Sequence, residues 1–265
     1  MHLINDAPLD HFRKEGHFLV GLDSLFTNFD SRYQKKFVTF AASMGKDKLR
    51  RFAENENFPN LIQPNFEYPP ADHELKGKWH QNFFKNDNPI IVELGCGRGE
   101  YAVNLAEKFP DKNFIGIDWK GARLWRGAKT GVENNIANLG FARMQIQNCA
   151  ALFAPNEVSE VWITFPDPNL EESRAKKRLT SPRYLDLYRK FMTADGIIHL
   201  KTDSRPFYDY TLEMIAEQKL KIFKQTDDLY NSEILNDVLS IKTTYEKMWL
   251  KDGLKICYLQ FKLNY

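Results

Sequence analysis

The chain has 265 residues, 43% of them hydrophobic and 27% charged, with a formal net charge of +2. That composition is ordinary for a folded globular protein and excludes a disordered or low-complexity chain. No stretch approaches the ~18 consecutive apolar residues of a membrane span. The first twenty residues also lack the basic start and apolar run of a secretory signal, so the expected location is the cytoplasm.

Residues 1–88 are rich in Asn, Pro and charge and weak in periodicity, and four prolines between Phe58 and Asp72 exclude a continuous helix there. They read as an N-terminal extension to a catalytic domain over 89–265. Within the extension, Gly45 to Phe52 (GKDKLRRF) is a basic segment that either meets a phosphate backbone or forms a solvated face.

From Pro89 onward, short apolar runs alternate with longer amphipathic ones, which predicts a parallel sheet covered by helices on both faces. Strands are expected at 90–94, 113–118, 142–147, 158–165, 196–202, 219–225 and 254–263, and helices at 100–109, 121–139, 181–193 and 206–217. Ser181-Pro182 supplies an N-cap followed by proline at the first helical position. The last strand has no long crossover helix before it and is expected to enter antiparallel. The fold class is therefore α/β, a doubly wound, seven-stranded, mostly parallel sheet.

The first strand runs into three glycines at alternate positions, Ile90 to Gly99 (IIVELGCGRG). Glycines there let a ligand approach the backbone at the carboxyl edge of the sheet. The residue three after Gly97 is Glu100, so the GxGxxG dinucleotide spacing fails, and no GKS or GKT phosphate loop is present. An acidic residue before the glycines, Glu93, suits a ligand that carries an ammonium group. S-adenosylmethionine is the expected cofactor, cradled by Gly95 and Gly97, in a Rossmann-like class I methyltransferase. Asp118 ends the second strand, where a carboxylate accepts ribose hydroxyls. Asn148 and Cys149 follow the third, where an adenine ring would rest.

The fourth strand ends in Phe165-Pro166-Asp167-Pro168, and two prolines stiffen the turn that presents Asp167, the candidate catalytic carboxylate. The basic run after it, Lys176, Lys177 and Arg178, can supply positive charge to RNA. So can Lys120, Arg123, Arg126 and Lys129 on the helix after Asp118; each set is alternatively an ordinary solvated face. Cys96, Cys149 and Cys257 are odd in number and widely spaced, so they read as reduced thiols. The six histidines form no ligand pattern, and no metal is expected.

Across about residues 45–263 the chain resembles the bacterial tRNA guanine-N7 methyltransferases. The resemblance rests on ELGCGRGEY, on GID, on FPDP followed by KKRL, on HLKTD (His199 to Asp203) and on TTYE (Thr243 to Glu246). It implies methyl transfer from S-adenosylmethionine to N7 of a tRNA guanosine, the variable-loop guanosine 46. Glu93, Asp118, Asn148 and Asp167 would then lie at the cofactor, and Asp203, Thr243, Thr244, Tyr245 and Glu246 would hold the guanosine.

The chain departs from the family at Asn148, Asn169 and Glu171. Two alternatives stay open: a methyltransferase acting on a small molecule or protein, and an inactive RNA-binding relative. Residues 1–43 precede the resemblance and are either an accessory segment or lie ahead of the start the cell uses.

Overall fold

The computed structural model describes residues 47–65 and 70–264. The readings made on residues 1–43, and on Gly45 and Lys46, lie outside the described residues. The chain divides between Arg50 and Arg51 into two units. Of the first, residues 47–50 are described; they are helical, with Arg50 paired to Asp47 at 2.6 Å.

The second unit is an eight-stranded sheet in the order β1-β4-β3-β2-β5-β6-β8-β7. Its strands are β1 (Leu61–Ile62), β2 (Ile90–Leu94), β3 (Asn113–Asp118), β4 (Leu139–Arg143), β5 (Val158–Thr164), β6 (Met192–Thr202), β7 (Lys221–Thr226) and β8 (Cys257–Lys262). With the helical stretch over residues 51–55 as α1, the others are α2 (Glu100–Lys108), α3 (Gly121–Glu133), α4 (Cys149–Leu152), α5 (Pro182–Arg189), α6 (Arg205–Glu217) and α7 (Thr244–Lys251). The six strands β1 to β6 run parallel, whereas β8 lies antiparallel between β6 and β7.

Alternation along β2 divides the interior into two cores, as the two-residue period of a strand requires. Ile90, Val92 and Leu94 join Ile115, Ile163, Leu200 and Phe153 on one face. Ile91 joins Phe114, Tyr101, Trp162 and Tyr258 on the other.

The expected seven strands are joined by an eighth, because Leu61 and Ile62 pair with Phe141 and Ala142. Two residues between prolines carry no periodicity that a sequence reading could detect. Residues 51–65 and 70–88 belong to the same unit as the sheet. Trp79 is wholly buried, donates Nε1–H to the Leu152 carbonyl at 3.1 Å and stacks on Phe153 at 5.5 Å.

The helix expected over 121–139 ends at Glu133. Asn135 takes φ +54°, and the Ile136 N–H returns to the Gly131 carbonyl, which closes the helix in a left-handed cap. The released residues let β4 begin at Leu139.

Candidate active site

Chain order sends β3 and β4 to one side of β2, and β5 and β6 to the other. The carboxyl ends of β2, β3, β5 and β6 therefore open on a crevice at this reversal. Gly95, Gly97 and Gly99 turn the chain out of β2 at φ +74°, +57° and +69°. A Cβ built on Gly95 or Gly97 would meet nothing within 4 Å, so the backbone faces open space on its ligand side.

The loop is held by Asp118, whose Oδ2 accepts from Gly97 N–H at 2.9 Å and whose Oδ1 accepts from Lys120 N–H at 2.7 Å. Each oxygen keeps a lone pair for a hydroxyl. Gly95, Asp118, Trp119, Met144, Ile146 and Tyr184 line a cleft of about 340 Å³ on this side.

Glu93 is buried beneath the loop. Its Oε1 accepts from the Thr164 hydroxyl at 2.5 Å and its Oε2 from Ala102 N–H at 3.0 Å. Burial pushes its carboxyl up to about 7 against these hydrogen bonds. A cation arriving above it would favour the ionised form. An open glycine cradle between a buried acid and a tethered aspartate fits a nucleoside that carries a positive charge.

Asn148 is half-buried at the end of a short 3-10 turn, Ile146–Asn148, so the side chains on the cleft are those of Ile146 and Gln147. Cys149 lies away from it: the thiol is wholly buried in the core, and the N–H donates to the Ile146 carbonyl. The side chain therefore packs the interior instead of touching an adenine.

On the other side of Gly95, a recess of about 80 Å³ is lined by Glu93, Glu100, Thr164, Phe165, Thr243, Tyr245 and Trp249. One wall is the turn after β5. Phe165 takes φ +51° and donates its N–H to the Lys201 carbonyl at 2.8 Å. Asp167 is exposed, its Oδ1 accepting from Asn169 N–H at 3.2 Å while Asn169 Nδ2 donates to the Asp167 carbonyl at 3.0 Å. Asn169, a departure from the family, thus ties the turn from within. Glu171, another departure, pairs with Arg174 at 3.0 Å.

Arg178 was expected to offer charge to RNA, but it is 7% exposed. It donates to the carbonyls of Asn169 and Leu170 at 3.1 and 3.2 Å and lies 4.2 Å from the Tyr210 ring. A planar fork matches two adjacent carbonyls, so this arginine clasps the turn. Lys176 and Lys177 remain exposed.

The other wall is α7 and the segment that leads into it. Thr243 caps α7: its hydroxyl accepts from Glu246 N–H at 3.2 Å, and Glu246 returns a carboxylate oxygen to Thr243 N–H at 3.3 Å. Thr244 donates both N–H (2.7 Å) and hydroxyl to Glu100, which joins α7 to the start of α2. Exposed Tyr245 stacks on Trp249 at 6.0 Å, and Trp249 meets Phe165 at 4.9 Å.

Glu246, expected to hold the guanosine, is fully buried and paired with the equally buried Lys201 at 2.7 Å; it also accepts from the Tyr230 hydroxyl at 2.7 Å. It therefore presents no face to a substrate. Asp203 follows β6, half-buried, with its carboxyl raised by that burial.

Sequence reasoning singled out neither Lys201 nor Trp249. A lysine closing the apolar strand IIHLK and an aromatic pair four apart on one helix are the signals that mark them. Among the described residues no group of three or more His, Cys, Asp or Glu side chains is placed to hold a metal ion, and no helix is long and apolar enough to cross a membrane.

Residues 87–259 match the family described as "Putative methyltransferase". A tRNA (guanine-N(7)-)-methyltransferase of Christiangramia forsetii is 52% identical over 83% of this chain and 99% of its own. The same-named protein of Bacteroides fragilis is 49% identical over 83% and 87%, and that of Brevibacillus brevis 34% over 76% and 94%. Among solved structures, the 16S rRNA methyltransferase KamB aligns with 76% of this chain and 96% of its own at a TM-score of 0.53 and 13% identity, a likeness of fold alone.

Proposed function

Because the chain belongs to the tRNA (guanine-N(7)-)-methyltransferase family, we infer that it transfers a methyl group from S-adenosylmethionine to N7 of a guanosine in tRNA, with the variable-loop guanosine 46 as the target. One observation carries the reading at the level of chemistry. The recess beside the glycine loop is lined by Glu93 and Glu100, by the rings of Phe165, Tyr245 and Trp249, and by Arg98, with no histidine or lysine among the described residues that line it. Guanine N7 offers an in-plane lone pair and no proton, so its methylation needs alignment and no general base.

S-adenosylmethionine, when bound, supplies an electrophilic methyl group on a cationic sulfur. Glu93 counters positive charge from below the loop, and Asp118 accepts ribose hydroxyls with the lone pairs its backbone contacts leave free. Asp167, two residues beyond Phe165 of the recess wall, accepts from the guanine N–H groups and orients the base. Tyr245 and Trp249 supply a stacking surface for a purine drawn out of its stack, as a deep A-form groove demands. Asp203 and Thr243 complete the guanosine side.

Phosphate contacts fall to exposed cations. Lys120, Arg123 and Arg126 make no ion pair among the described residues, and neither does Arg98 on the glycine loop, whereas Lys129 faces Glu54 and Glu133 at 3.7 and 3.9 Å. Arg123 and Arg126 on α3, Lys120 just ahead of it and Arg98, with Lys176 and Lys177, are the proposed backbone contacts. The tRNA pool places the enzyme in the cytoplasm.

A transfer assay with labelled S-adenosylmethionine and bulk tRNA, followed by nucleoside analysis, tests the reading. 7-Methylguanosine is the expected product. Labelled product of another kind, or none, would overturn it.

A further inference from the structure

Lys201 occupies an unusual place. It is a wholly buried lysine at the end of β6, and its two ends hold the two walls of the recess. Its backbone carbonyl accepts the Phe165 N–H at 2.8 Å, at the root of the turn that presents Asp167. Its ammonium donates to the carbonyls of Leu239 and Ile241 at 2.8 and 2.9 Å and pairs with Glu246 at 2.7 Å. The rings of Tyr101, Phe165 and Tyr230 lie within 6 Å of it. The three donors of the ammonium are thus matched by three oxygens, all from the segment that delivers Thr243, Tyr245 and Trp249.

An ammonium fully removed from water is costly, and a salt bridge alone is a poor return for it, since apolar pairs of similar volume often serve stability as well. What an apolar pair cannot do is anchor two backbone carbonyls at a fixed distance from a strand end. We propose that Lys201 is a positioning residue that sets the distance between the Asp167 turn and the 239–249 segment, and so aligns the target guanosine with the methyl donor. Glu246 acts through Lys201, not on the substrate.

This inference rests on the tRNA methyltransferase reading and adds a division of labour to it. Outlying phosphate contacts anchor the tRNA, and the glycine loop holds the cofactor. Lys201 governs only the slot between them. Its loss is therefore felt in turnover more than in either binding step, because misalignment of reacting atoms lowers the rate without lowering affinity.

The test compares the wild type, Lys201→Met and the double variant Lys201→Met/Glu246→Met. The double variant removes both buried charges together, so no unpaired carboxylate is left to unfold the protein. Three quantities are read: affinity for S-adenosylmethionine by calorimetry, KM for tRNA, and kcat for 7-methylguanosine formation. The expected result for the double variant is a folded protein with cofactor affinity and tRNA KM within about threefold of wild type and kcat lower by about 100-fold, the scale of a misplaced reactant.

Recovery of wild-type kcat in the double variant would overturn the proposal, since Lys201 would then only neutralise Glu246. A double variant that does not fold, or whose loss is equal in cofactor affinity and kcat, would make Lys201 a stability element and also overturn it. A wild type that yields no 7-methylguanosine sinks the underlying reading instead, and the two failures are told apart by that first arm.

Discussion

The two sides of the crevice are built by different means. On the cofactor side, the glycine loop, Glu93 and Asp118 lie within 26 residues of one another along the chain. Their geometry comes from backbone conformation and short-range hydrogen bonds such as Gly97 N–H to Asp118. On the substrate side, Phe165, Lys201, Tyr230 and Glu246 are drawn from four separate parts of the chain and meet through a buried side-chain network. A wall made of local backbone tolerates change elsewhere in the molecule. One made of a distant network shifts as a unit when any member is lost.

Substitutions on each side should therefore separate cofactor binding from turnover. The largest effect is expected from Asp167→Ala, which removes an exposed carboxylate from the substrate side. Its kcat should fall by about 100-fold or more, with S-adenosylmethionine affinity unchanged by calorimetry. Retained turnover would remove Asp167 from the mechanism.

On the cofactor side, Glu93→Gln should weaken S-adenosylmethionine binding by about tenfold or more at pH 8, the scale of a charge-assisted contact. The wild type carries a pH signature that the variant lacks. Its Glu93 carboxyl is raised to about 7 from an ordinary 4.5, so cofactor affinity should fall as pH drops below about 7. The ligand-free protein responds in the opposite sense. A raised carboxyl favours folding in its protonated form, so that stability is fully present below pH 4.5 and is lost as pH rises through about 7. Melting temperatures of the ligand-free wild type should therefore decline between about pH 5 and 7, and those of Glu93→Gln should not share the decline.

A smaller loss is expected from Gly97→Ala. The added Cβ meets no neighbour, but φ +57° costs an L-residue about 1 kcal/mol, so cofactor affinity should weaken several-fold with kcat at saturation nearly intact. Parity with wild type would show that the loop relaxes freely. The smallest effect belongs to the paired change Arg123→Ala/Arg126→Ala. It should raise the tRNA KM a few-fold and reduce its logarithmic salt dependence by about one per lost phosphate contact, leaving cofactor binding alone. An unaltered salt slope would assign this helix face to solvent.

The same contrast explains what could be read from the amino acids in order. Gly95, Gly97, Glu93 and Asp118 announce themselves because strand, turn and acid follow one another within a single βαβ stretch. Ser181-Pro182 announces the start of α5 in the same way. Arg178 and Glu246 were visible as charges, but burial is decided by what the rest of the chain folds over them. A charged residue type alone suggested a role toward substrate that the packing denies. Leu61, Ile62 and Trp79 are hidden for a related reason, since each is apolar in isolation and the groups that tie it into the sheet unit, Phe141, Ala142 and the Leu152 carbonyl, lie 70 or more residues away. The α7 capping box is written in TTYE, where Thr243 and Glu246 fall at the N-cap and three residues on, so the same letters that the resemblance ties to a ligand also start a helix.

The placement of β8 between β6 and β7 carries a consequence for biogenesis. A ribosome delivers both flanking strands before the one that joins them, so β6 waits with a bare ladder and β7 has no sheet to lie on until residues 257–262 emerge. During that interval the nascent chain exposes the unpaired edges of β6 and β7. Nascent chains stalled before this strand should be the species that chaperones capture.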